Sequence, residues 1–156
     1  MERFMPNVLL KIPKGSFPGE ARSTLVRRIN AAAALAERIA DDPKKRFLCW
    51  VVVEEVEPGG WTCGSVDVTS QMLPCMAMVY VPAGVLDAVS RASYVELMHG
   101  AFTQALPVDD KRQLVTSIVL HDVADGAWGA NGVIWSLPLF AKAAGYEHLQ
   151  HLAAAI

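Results

Sequence analysis

Apolar and polar positions alternate along this chain in a pattern that is written twice. Residues 5–12, Met-Pro-Asn-Val-Leu-Leu-Lys-Ile, read as a short strand that stops at the breaker cluster Pro13-Lys-Gly15. Leu25, Ile29, Ala32, Ala36 and Ile39 then recur at helical spacing and predict a helix over 18–40. Arg22, Arg27, Glu37 and Arg38 fall off that apolar stripe, Ser16 is the candidate cap, and Pro18 lies in the first turn. Asp41-Asp-Pro43 ends the helix. Residues 46–57 form the next predicted strand, whose apolar run from Phe47 to Val53 does not alternate and so predicts cover on both faces.

The order then returns. A strand is predicted at 75–81, a breaker at Pro82-Ala-Gly84, and a helix from Asp87 with Ala88, Ala92, Val95, Met98 and Phe102 facing inward. Pro107 ends it, and 114–123 is the fourth strand. At an offset of 67 residues Glu55 falls on Asp122, Val56 on Val123 and Trp61 on Trp128; Gly15 falls on Gly84 at an offset of 69. Such self-similarity means one structural unit used twice. The predicted class is α/β in a single domain. It has a first βαβ unit at 5–64, a link at 65–74, a second unit at 75–135 and a helical tail at 136–156 broken at Gly145. Periodicity leaves two architectures open: tandem βαβ units forming one four-stranded sheet with two long helices on one face, or a ferredoxin-like split βαβ.

Composition narrows the function. With 53% hydrophobic and 19% charged residues in 156, apolar surface must be buried, part of it between subunits. A net charge of −2 gives no footprint for nucleic acid, and an RNA-binding sheet would need a basic aromatic face that is absent. The apolar run 47–53 is too short to cross a membrane. Three cysteines outside any C-x-x-C pair, and a start without a signal-peptide pattern, point to reduced thiols in a cytoplasmic protein.

Met5-Pro6 opening a strand, Gly15 at its end, a long helix, and then Val-Val-Val-Glu-Glu-Val-Glu-Pro-Gly-Gly-Trp resemble the tautomerase superfamily. That superfamily includes 4-oxalocrotonate tautomerase, macrophage migration inhibitory factor and the chloroacrylic acid dehalogenases. The resemblance covers residues 5–135 as two fused units. It implies the tandem-unit sheet, a homotrimer with pockets between subunits, and a cofactor-free, metal-free site built on an amino-terminal proline. Pro6 is the residue that this resemblance makes the general base. A free α-amino group titrates at roughly 7.7–8.0, and an apolar pocket lowers that further, so it can move a proton beside a carbonyl. Its nitrogen must be free: behind residues 1–5 it is a tertiary amide, whereas a start at Met5 followed by loss of the methionine exposes it. Apart from the resemblance, Pro6 reads simply as the opening of an edge strand.

The chain departs from the family at its arginines. Where many members anchor a carboxylate with arginine, this sequence has Ser16, Val85 and Trp50. A diacid substrate is thereby disfavoured, and an aryl or alkyl keto/enol acid in a tryptophan-lined pocket is favoured. Lys11, Lys14, Arg46 and Arg112 are candidate replacement cations. His121 is a further candidate; its neighbour Asp122 points to the opposite strand face. Trp128 is read as a pocket wall or as a staple of its turn, and Asn131 as an enolate donor or as a turn residue. The expected activity is a cofactor-independent keto–enol tautomerase or isomerase. The rival reading is a non-catalytic trimeric scaffold or binding protein with a blocked or degenerate site.

Overall fold

The computed structural model describes residues 7–156; Pro6 lies outside the described residues. Strand β1 (Asn7–Pro13) leads to helix α1 (Glu20–Glu37), a short helix α2 (Pro43–Arg46) and strand β2 (Trp50–Val56). Strand β3 (Met72–Pro82), helix α3 (Ala88–Ala105) and strand β4 (Gln113–Val123) repeat the sequence of elements. A small hairpin of β5 (Gly129–Ala130) and β6 (Val133–Ile134) follows, then α4 (Leu137–Ala144), a 3-10 turn at Glu147–Leu149 and α5 (Gln150–Ala153).

The four long strands form one sheet in the order β2-β1-β3-β4. β1 is parallel to β2, antiparallel to β3, and β3 is parallel to β4. Direct pairing of β1 with β2 rules out the split βαβ, in which another strand lies between them. Asn7 faces Tyr80, Leu9 faces Met78 and Lys11 faces Met76 across the centre. Adding 69 to 7, 9 and 11 gives 76, 78 and 80, so this pairing maps onto itself. The two units are related by a pseudo-two-fold axis between Leu9 and Met78.

Alternation assigns the faces. Val8, Leu10 and Ile12 of β1, with Ala77 and Val79 of β3, are buried in one core with Leu25 and Ile29 of α1 and Met98 and Phe102 of α3. Among the described residues the opposite face carries no helix. There Trp50 is 47% exposed, Val52 50% and Val119 47%. The expectation that 46–57 is covered on both faces is thus corrected: β2 is an edge strand, and residues 43–46 are helical because Asp42 caps them and Pro43 starts the turn.

Three local expectations are also corrected. Ser16 does not cap α1; Gly19 precedes the helix, and the buried Ser16 hydroxyl instead accepts from Arg112 Nη2 at 3.3 Å. β3 begins at Met72, inside the expected link, and tolerates Pro74 because β1 pairs with it only from Met76 to Tyr80. In α3 Met98 and Phe102 face inward as expected and Tyr94 joins them, while Ala88, Ala92 and Val95 are exposed. Asp87 does cap that helix, sharing a capping box with Ser90.

Glu37 is the largest departure: it is fully buried, not off the core. The tail covers it. Gly145 adopts φ 66°, turning the chain so that Ala40 N–H donates to its carbonyl and Glu147 N–H donates to Arg38. Tyr146 pairs with Ile39 and sends its hydroxyl to Glu37 at 3.3 Å. Among the described residues no helix is long and apolar enough to cross a membrane.

Candidate active site

The sheet ends in two clefts that the repeat makes equivalent. The first, of about 300 Å³, is lined by Asn7, Tyr80, Val123, Ala127, Trp128 and Gly129. Asn7 is the residue that follows Pro6 in the sequence. Strand register builds the floor: Trp50 lies beside Asn7 on β2, Tyr80 beside Asn7 on β3, and His121 beside Tyr80 on β4. These four residues form one row across the helix-free face. The Tyr80 and His121 rings are 5.3 Å apart.

Trp128 supplies the wall. Its turn carries it over the end of β3, and the tail holds it there. Phe140 meets it edge-on with centroids 5.2 Å apart and also contacts Trp135 at 5.4 Å. Trp135 N–H donates to the Trp128 carbonyl, and Leu137 N–H donates to Asp125 Oδ1, tying the start of α4 to the same turn. Trp128 is left 9% exposed, so it is both a cleft wall and a packed residue. Asn131 occupies the tip of the β5–β6 hairpin at φ 52°, followed by Gly132 at φ 84°, the paired positive angles of a tight hairpin turn.

Arg112 is elsewhere. It sits before β4 at the far end of the sheet, where Asp110 holds it at 2.7 and 3.0 Å and Thr69 O accepts from it. Asp110 is lowered from the usual carboxylate range chiefly by that hydrogen bond. Asp122, on the helix side, pairs with Arg91 at 2.7 Å, which separates it from His121.

Two residues of the cleft are new to the site: Asn7 and Tyr80. The Asn7 Oδ1 is buried without a hydrogen-bond partner among the described residues, an unsatisfied polar atom at the cleft. Tyr80 offers a phenol that can donate to a developing oxyanion. Tyr80 lies within the strand expected at 75–81, and only the register that sets it beside Asn7 brings it to the cleft.

No protein-family model matches the sequence, and no curated protein matches it either. Solved structures do. The chain is similar to a fused 4-OT, F6, described as an asymmetric trimer, at 14% identity and TM-score 0.65, with 82% of this chain and 94% of that one covered. It is similar to Pt0534, solved inactivated by 2-oxo-3-pentynoate, at 15% identity and TM-score 0.65 over the same shares. A member of the cis-3-chloroacrylic acid dehalogenase family, N1, aligns over 96% of this chain and 99% of its own at 11% identity and TM-score 0.65. The fold is therefore that of the fused, two-unit 4-OT structures.

Proposed function

We propose that this chain is a cofactor-independent tautomerase acting on a small keto/enol acid, with Pro6 as general base. The observation that carries this reading is the cleft beginning at Asn7, walled by Trp128 and floored by Tyr80. Pro6, freed of residues 1–5, takes a proton from the carbon next to the substrate carbonyl. The resulting enolate oxygen is met by the Tyr80 hydroxyl or the Asn7 amide, and the protonated nitrogen returns its proton to a second position. The absence of a cation among the described lining residues, with Val123 and Trp128 beside Asn7 and Tyr80, favours one carboxylate and an alkyl or aryl body over a diacid. Several of the fused 4-OT structures are described as trimers, and the exposed Val52 and Val119 face supports the same assembly here. Unpaired Cys49, Cys63 and Cys75 fit a reducing, cytoplasmic setting.

The test is ketonisation of enol phenylpyruvate by chain verified by intact mass to begin at Pro6. Turnover above the buffer rate that disappears in Pro6→Ala is the expected result. Turnover that survives in Pro6→Ala, or its absence from the correctly processed chain, removes the reading.

A further inference from the structure

The second cleft, about 480 Å³, is lined by Lys11, Glu54, Val56, Trp61, Thr62 and Met76, with Gly60 and Glu55 at its edge. It is the counterpart of the first, residue by residue. The 69-residue offset places Met76 where the first cleft has Asn7, and Lys11 where it has Tyr80. The 67-residue offset pairs Trp61 with Trp128 and Val56 with Val123, and it sets Glu54 at the position of His121, the strand neighbour of Tyr80. The backbone scaffold is thus the same, while the chemistry has been replaced. Cys75 stands at the position of Pro6; it is buried and its thiol is pushed up to about 12, chiefly by that burial, so no base is offered there.

What this cleft offers instead is one positive and one negative charge, side by side under an aromatic wall. Lys11 Nζ lies 3.7 Å from Glu54 Oε2, and their side chains are 39% and 66% exposed. An ion pair this open contributes little to stability, so a ligand can exchange it at small cost. Glu55 is already engaged by Arg22 and leaves Glu54 as the available carboxylate. We propose that this second cleft is a binding site for a zwitterionic α-amino acid with an apolar side chain. The ligand carboxylate goes to Lys11, its ammonium to Glu54, and its side chain to Trp61 and Met76. In an α-amino acid the two charges are one carbon apart, which suits a charge pair of this spacing. A simple carboxylate would meet Glu54, and a simple amine would meet Lys11, each unfavourably.

The probe is L-leucine, titrated calorimetrically into the full chain. The expected result is one saturable site per chain, weakened about tenfold or more in both Lys11→Met and Glu54→Gln. The α-keto acid and the amine that correspond to leucine should bind at least about tenfold more weakly than leucine. Both side chains are exposed within the single chain, and circular dichroism with sedimentation checks that each variant folds and assembles as the parent does. An absence of leucine binding, or binding unchanged in the two variants, overturns the assignment. Neither result bears on Pro6, because the ketonisation assay reads the other end of the sheet.

Discussion

The Tyr94 hydroxyl of α3 donates to the Glu37 carboxyl of α1 across 2.6 Å, with no exposure of either side chain. Burial raises Glu37 from 4.5 to about 8 and outweighs the lowering by its bonds from Tyr94 and Tyr146. Cys49, itself raised by burial and by Glu37, and the two tyrosines are the titratable groups that surround it. A neutral acid therefore sits at the junction of α1, α3 and the tail at neutral pH.

The sign of its pH dependence follows. The folded-state value lies above the unfolded one, so the Glu37 contribution is fully present below about 4.5. It is lost as pH rises through about 8. Glu37→Gln keeps an acceptor for the tyrosines and cannot ionise. Urea unfolding across that window should show parental stability falling toward alkaline pH, with a flatter profile in the variant. Identical slopes in the two proteins would mean that Glu37 does not titrate there.

Phe140 positions Trp128 without lining the cleft itself. Phe140→Leu should cost about 1–2 kcal/mol of stability, less than a full truncation to alanine. It should also red-shift tryptophan emission and raise KM for the enol substrate more than it lowers kcat. A variant with lowered stability and unchanged KM would show that the tail supports only the fold.

Removal of the phenol in Tyr80→Phe leaves the ring against His121 and deletes one donor at the cleft. Turnover of enol phenylpyruvate should fall on the order of a hundredfold, the usual loss of one oxyanion donor. Full activity in the variant would transfer that role to Asn7.

Met78 lies at the centre of the helix-free face, opposite Leu9 and beside Val119. Met78→Glu should convert a trimer to monomers in sedimentation at a concentration where the parent is assembled. Assembly that persists would place the subunit contact on another surface.

The doubled unit was legible because its signals are local: breaker clusters, a helical stripe, and paired tryptophan turns at constant offset. The cap of the second helix at Asp87 and the tail break at Gly145 were legible for the same reason. Glu37 was not, because periodicity in 18–40 carries no information about a chain segment more than a hundred positions away that covers it. Phe47–Val53 misled in the opposite way. Its lack of alternation fits a strand covered on both faces, yet only one face of β2 is covered within this chain, and Phe47, Leu48 and Cys49 belong to the turn between α2 and β2. Trp50, His121 and Trp128 could be named from sequence, but their gathering around Asn7 depends on strand register. Arg112 fell at the opposite end because β1 and β3 run in opposite directions.

Docking of the tail onto α1 also sets an order of events during synthesis. The first helix is complete in sequence long before Tyr146 exists, and the contact between them spans 109 residues. Until Tyr146 emerges, its hydroxyl cannot close over Glu37. The first unit is therefore completed by a segment made after the second, and the pocket around Glu37 closes only when both units and the tail have folded together.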